Sequence, residues 1–415
     1  MTTVRTRTRG LAAASAVTLL LGLAACGGGD DDKSDGDSTK PSQDPDVSFS
    51  GDPITVMTMT AYDTDTLNVK EILDIAQGAV VEINNDGGIG GHELKLITCN
   101  EGADPNKAAD CARQAVDEDV SAVVAGFTAN GDAIMPILEE AGIPWFAPPG
   151  ISSAELSSPA SYPINSGVLG LAGLGALAAE DGCESVASVN YDLPSAGQIG
   201  QLVDIGLASK GSGPSTLIKV PPTTTDFSGI AQEVSEYDCA VVGTPPQALL
   251  GIAAASESLG SDTIYYVVPG GLTTAATDQG GAALEGTVTL SSFPTGDDPV
   301  WDDAKAAVGD LEDSENGGWS AMFLQNTWVG FRTFLSLIEN SDDFSAAGIT
   351  ATLDATTQVD TDGFTPPFSF ADDFPAPGLN RVFNKNVITI RVEDGTLTQD
   401  GDELTDLVSA LLPAS

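Results

Sequence analysis

The sequence predicts an α/β protein built as two lobes, each a parallel sheet with helices on its faces. Three observations carry this reading. From Pro53 onward, short apolar runs alternate with stretches of helical period. The alternation comes in two series, the second starting near Gly167. The chain also has the material for two or three cores, with 415 residues of which 41% are hydrophobic.

The balance of charge narrows the function classes. Lys and Arg total 16 against 60 Asp and Glu, a formal net charge of −44, yet only 18% of residues are charged. The acidity thus reflects scarce basic residues rather than dense charge. A surface this negative has no basic footprint for nucleic acid and repels an anionic lipid face.

The chain opens with an address. Arg5, Arg7 and Arg9 precede an apolar stretch from Leu11 to Leu23, too short to span a bilayer and read as a secretory signal over residues 1–25. It ends in Leu23-Ala24-Ala25-Cys26-Gly27, which resembles a bacterial lipobox, so Cys26 is the expected lipid attachment site. Residues 26–52 are rich in Asp, Ser, Gly and Pro and read as a flexible acidic tether. Gly167 to Ala179 comes closest to a membrane span but is short and rich in Gly.

The body follows in order. Strands are expected at 54–59, 94–98, 121–125 and 143–147, with helices at 71–84, 105–115 and 133–140 between them. Asp104-Pro105 gives the second helix an N-cap followed by Pro. The second series predicts helices at 169–179, 197–208, 227–236 and 249–259, alternating with strands at 185–190, 215–220, 240–243 and 264–268. Beyond Gly286 come a strand (287–293), helices (299–311 and 321–339) and an aromatic, Pro-containing stretch, Phe364 to Phe370. A hairpin over 387–398 turns at Asp394-Gly395, and 403–412 reads as a short helix.

In an exported chain four cysteines besides Cys26 read as disulfides, and three pairings are possible. Cys99 and Cys111 are close in sequence; Cys183 and Cys239 each precede an apolar run, so neighbouring parallel strands would set them at one sheet edge. The favoured pairing is Cys99–Cys111 with Cys183–Cys239. Zinc is not expected, since there is no C-x-x-C and the single His92 has no nearby Cys.

Four collinear segments resemble the branched-chain amino-acid-type periplasmic binding proteins. They are Ile83-Asn84-Asn85-Asp86-Gly87-Gly88-Ile89-Gly90-Gly91-His92-Glu93-Leu94, Asp104-Pro105-Asn106-Lys107-Ala108, Ile143-Pro144-Trp145-Phe146-Ala147-Pro148 and Thr225-Asp226-Phe227-Ser228. The resemblance implies the type I, Venus-flytrap fold: two Rossmann-like lobes joined by three crossovers. These are placed near Tyr162 to Ser166, Leu290 to Pro294 and Phe364 to Phe370. The first lobe would then comprise 53–164 plus 291–365, and the second 165–290 plus 366–415.

In such sheets a ligand sits beyond the C-terminal strand ends, at helix N-termini. The loops there are 62–68, 127–132, 149–153, 191–195, 244–247 and 269–273. The resemblance implies that a ligand carboxylate is held by hydroxyls and backbone N–H groups at Thr128, Ala129, Asn130, Gly150 and Ser152. Tyr62, Thr244 and Gly270 complete the expected set. The loop Pro269-Gly270-Gly271 lacks the acid with which amino-acid binders pair the ligand ammonium, which leaves Asp63 or Asp192 to take over. A Leu/Ile/Val specificity is therefore not expected.

No G-x-S-x-G nucleophile motif occurs, and His92 belongs to a turn entering a strand, so no catalytic residue or cofactor is expected. The resulting expectation is a monomeric, lipid-anchored solute-binding protein that delivers a small polar solute to an ABC permease on the outer face of the membrane. A sensor of the same fold, or less readily a secreted hydrolase, are the alternatives.

Overall fold

The computed structural model describes residues 42–64, 67–192, 196–311, 314, 316–401 and 404–412. The signal, Cys26 and the first part of the tether lie outside them.

The first sheet begins with β1 (Ile54–Thr60), whose residues are nearly all buried, as a strand covered on both faces requires. It continues through α1 (Glu71–Asn85), β2 (Leu94–Asn100), α2 (Pro105–Asp117), β3 (Ala122–Val124), α3 (Gly131–Ala141), β4 (Trp145–Phe146) and β5 (Ser161–Tyr162). All pairings are parallel, in the order β2-β1-β3-β4-β5. The side chain of Asp104 accepts from the backbone N–H groups of Asn106 and Lys107, so the expected cap on α2 forms.

The second sheet is built from α4 (Leu169–Glu180), β6 (Val186–Tyr191), α5 (Ala196–Ser209), β7 (Thr216–Val220), α6 (Ser228–Val234), β8 (Cys239–Gly243), α7 (Pro246–Leu259), β9 (Ile264–Val267), α8 (Thr274–Gly280) and β10 (Val288–Ser291). The chain then returns to the first sheet with α9 (Asp302–Val308), α10 (Met322–Ile338) and α11 (Ala346–Ala355). It finishes on the second with β11 (Asn386–Glu393), β12 (Thr396–Gln399), β13 (Thr405–Asp406) and α12 (Leu407–Leu411). The second sheet runs β12-β11-β10-β9-β8-β6-β7, with β13 on β11. Strands β6 to β10 run parallel, and β11 runs antiparallel to β10, β12 and β13.

Both disulfides form as expected, Cys99–Cys111 with Cα atoms 5.7 Å apart and Cys183–Cys239 at 5.9 Å. The second pairing follows from β6 lying beside β8, with Val186 opposite Cys239. The helix at Gly167 to Ala179 is α4, a core helix rather than a span. Gly175 lets the backbone of α4 meet Val203, and Gly206 lets α5 meet Ala172; a Cβ at either would fall 2.2 or 1.9 Å from a backbone oxygen. Among the described residues no helix is long and apolar enough to cross a membrane.

One expectation needs correction. Residues 42–52, read as tether, are docked on the α1–β2 turn. The backbone N–H groups of Ser50 and Gly51 donate to Gly91 O at 2.9 and 3.2 Å, and that of Asp44 to Asn85 Oδ1 at 2.7 Å. His92 packs on Phe344 with ring centroids 4.7 Å apart and planes tilted by 55°, and donates from Nδ1 to Asp52 O at 2.6 Å. Polar composition shows that a segment builds no core; it does not reveal hydrogen bonds made to a neighbouring turn. Two of the expected crossover stretches touch, with the hydroxyls of Ser166 and Ser292 3.0 Å apart, and Asn384 Nδ2 donates to Ile164 O at 3.1 Å. In the third stretch Phe364, Phe368 and Phe370 pack into the first core, against Phe146, Tyr162 and Trp301, and Phe374 follows in the core of the second sheet.

Candidate functional site

The C-terminal edge of the first sheet is shaped by backbone turns. Asn100, ending β2, clamps the loop after β1: its Oδ1 accepts from Tyr62 N at 3.2 Å and its Nδ2 donates to Tyr62 O at 2.9 Å. Tyr62 is half-buried, and the Asp63 side chain is exposed on a residue with φ 54°. After β3 the chain bends through Ala125 (φ 52°) and Gly126 (φ 98°). A Cβ at Gly126 would lie 2.2 Å from Met59 O, so only glycine allows this approach to β1.

The bend presents Phe127 to Gly131. Thr128 is fully buried, and its Oγ1 accepts from Asn130 N at 2.9 Å. Ala129 is exposed. Asn130 stands at the N-cap of α3 without capping it; its Nδ2 donates to Glu101 Oε2 at 2.8 Å.

After β4, Ala147 (φ 53°) and Gly150 (φ 70°) turn the chain toward the first crossover, where Val168 N donates to Gly150 O at 3.0 Å. Ser152 and Glu155 form a reciprocal box. Ser152 Oγ donates to Glu155 Oε1 at 3.0 Å and accepts from Glu155 N at 3.2 Å, while Ile151 N donates to Glu155 Oε2 at 2.9 Å. Burial pushes the Glu155 carboxyl up to about 7, opposed by hydrogen bonds from Ile151, Ser152 and Gly150. A Cβ at Gly131 would fall 1.8 Å from Glu155 Oε1 and 2.3 Å from Ser152 Oγ. The loops after β3 and β4 are thus in direct contact, and Thr128, Ala129, Asn130, Gly150 and Ser152 share one edge.

Across from them, the second sheet contributes less than expected. Asp192 is exposed, and its Oδ1 pairs with Lys219 Nζ at 2.8 Å, so its charge is already matched. Thr244 is buried, with Oγ1 facing Pro245 O at 3.5 Å. Gly270 (φ 80°) lies against the start of α10, its added Cβ position 3.6 Å from Met322 N. Nearby, Thr274 Oγ1 meets Ser320 Oγ at 2.8 Å. The cavity at this junction, about 20 Å³, is too small for a solute. A larger hollow of about 570 Å³ lies at the opposite, N-terminal strand ends, lined by Asp181, Asp238 and Asp262, away from these loops.

One pair of residues was not legible in the sequence. Phe127 and Phe323 face each other with ring centroids 4.9 Å apart, and both are half-buried at the first sheet's edge. Phe323 opens α10, far along the chain, and nothing local to it distinguishes it from a core aromatic. Only the return of α10 to the first sheet brings it to the site.

This architecture has known counterparts. A sequence profile of the periplasmic binding protein family matches residues 69–383. No curated protein matches the chain. A fatty acid ABC transporter substrate-binding protein from Thermomonospora curvata is 15% identical, with a TM-score of 0.70 over 88% of this chain and 96% of its own. A leucine-binding protein from Thermotoga maritima is 16% identical, with a TM-score of 0.65 over 84% and 98%. A solute-binding protein of an ABC transporter from Rhodopseudomonas palustris, in complex with 3,4-dihydroxybenzoic acid, is 17% identical, with a TM-score of 0.68 over 86% and 98%. The chain belongs to the periplasmic binding protein family, and its two α/β lobes have the type I fold of those relatives.

Proposed function

We propose that this is a lipid-anchored solute-binding protein of an ABC importer, which takes a small polar solute between its lobes and delivers it to a membrane permease. It binds and releases the solute without turnover. The observation that carries the reading is the edge where Thr128, Ala129, Asn130, Gly150 and Ser152 converge beside Tyr62 and Phe127, with the second sheet joined to the first at hinge segments. The ABC-transport role of two of the three structural relatives supports it, and so do the lipobox-like segment at Cys26 and the acidic segment after it. Ligand binding would draw the lobes together through its higher affinity for the closed form.

The solute class follows from charge. Loops 125–132, 147–153, 243–247 and 268–273 hold no Lys, Arg or His. Lys219 is tied to Asp192. A neutral or amine-bearing solute, an amino acid, amide or related compound, is favoured, with hydrogen bonds doing the recognition. Asp63 remains the exposed carboxylate for an amine, and the Phe127–Phe323 pair offers an apolar wall.

Mass spectrometry of solute released from the purified protein, followed by thermal shift with candidates, tests the reading. The solute should raise the melting temperature, because it binds the native state alone. Thr128→Ala and Ser152→Ala should each reduce that shift; an unchanged shift in both would remove these residues from the site. Turnover of an ester or amide by the purified protein would overturn the binding role.

A further inference from the structure

We propose that Glu101 is a positioning residue, whose buried side chain holds the Phe127–Gly131 loop in the form that receives the solute. The proposal rests on the reading of this edge as the solute site.

Glu101 stands just past β2, and the strand order puts β1 between it and β3. Its backbone N–H bonds across the end of β1, to Thr60 O at 3.1 Å. Its side chain goes further and meets the β3 loop, where Oε2 accepts from Asn130 Nδ2. The residue is fully buried. Oε1 is buried as well and makes no hydrogen bond of good geometry, although the Thr128 hydroxyl helps to hold the carboxyl. Burial holds this carboxyl above its ordinary range.

Asn130 shows what the arrangement costs. At an N-cap, Asn ordinarily accepts a hydrogen bond from the first helical turn. Here α3 has no such side-chain cap, and the carboxamide is spent on Glu101. The backbone N–H of the same residue is held by Thr128 Oγ1. Glu101, Asn130 and Thr128 therefore form one chain of contacts, and exposed Ala129 sits inside it. A buried acid kept beside a helix that forgoes its cap stabilises one loop conformation at the expense of the local fold. Removing Asn130 leaves the buried Glu101 carboxyl without its partner, and removing Glu101 frees the half-buried Asn130 carboxamide, which is what makes the pair decisive.

Hydrogen exchange on the solute-free protein tests this without a known solute. In Glu101→Ala the Asn130 amide should exchange about tenfold faster or more, with α5 and α7 unchanged. Glu101→Gln keeps an acceptor for Asn130 and should return the rate to within about threefold of wild type. Should Glu101→Ala not fold, Asn130→Ala breaks the same contact from the other side and should loosen the loop alike. An Asn130-region rate unchanged in the folded variants, or a Gln variant as loose as Ala, overturns the proposal. A second arm measures thermal shift with L-leucine, acetamide and 3,4-dihydroxybenzoate. For any of these that stabilises the wild type, Glu101→Ala should weaken binding about tenfold and Glu101→Gln much less; equal binding by Glu101→Ala overturns the proposal. If none stabilises the wild type, the solute reading loses support while the exchange result still decides Glu101.

Discussion

Glu155 shows how one buried side chain sets a pH dependence. Its folded carboxyl titrates near 7 against an ordinary value of 4.5, because burial disfavours the charged form more than its hydrogen bonds favour it. A raised value means that the folded state holds the proton more tightly than the unfolded chain. The stability it contributes is present below about 4.5 and is lost as pH rises through about 7, a loss on the order of 3 kcal/mol. Melting temperatures measured at pH 4.5 and pH 8 should show this decline in the wild type and a smaller one in Glu155→Gln. A decline of equal size in both would place its origin elsewhere. Glycine carries a second prediction. Gly126→Ala puts a Cβ 2.2 Å from Met59 O at φ 98°, so denaturant unfolding should show a loss of about 2–4 kcal/mol.

The helix pair α4 and α5 makes the corresponding point for whole elements. α4 is apolar on nearly all faces because it is buried between the second sheet and α5. It is apolar but too short for a membrane span, and Gly175 and Gly206 bring its backbone against α5. Gly206→Ala would bring a Cβ to 1.9 Å from Ala172 O, and Gly175→Ala to 2.2 Å from Val203 O. Each should force the helices apart and cost about 2 kcal/mol or more, read from chemical denaturation. The aromatic edge belongs to this level too, since Phe127 is set by the β3 bend and Phe323 by the first turn of α10. Phe323→Ala should weaken a solute with an apolar portion about tenfold while changing a small amide such as acetamide little, measured by calorimetric titration. Equal losses for both would mean that the ring supports the loop rather than the solute.

At the scale of the whole molecule, each lobe carries one disulfide of its own. Cys183–Cys239 closes a loop between residues 56 apart, and Cys99–Cys111 one between residues 12 apart. Chain-entropy arguments assign them about 4 and about 3 kcal/mol respectively. Replacing each pair by Ser should lower stability in that order, the larger loss falling on the second lobe. The alternation of strands and helices, the β6–β8 adjacency behind the second disulfide and the Gly-rich end of α1 were all legible, because each is a local pattern or a short-range neighbour relation. The packing of Phe364, Phe368 and Phe370 into the first core was not, because the stretch has the same local look whether it bridges lobes or fills a core. The Asp192–Lys219 pair was equally hidden, as it joins the ends of two adjacent strands whose side chains only meet in the folded sheet.

The sequence by itself determined the two parallel α/β lobes and the loops at the sheet edge, and it favoured the disulfide pairing that the fold shows. These follow from periodicity, composition and turn chemistry, which act over a few residues. Tertiary structure alone decided that 42–52 dock beside His92, that Asp192 pairs with Lys219, that Phe323 reaches Phe127 at the sheet edge, and that Glu101 and Glu155 lie buried there. Each of these depends on which distant segments the folded sheets bring within a few ångströms. Burial and pairing are properties of that proximity, and no local pattern encodes them.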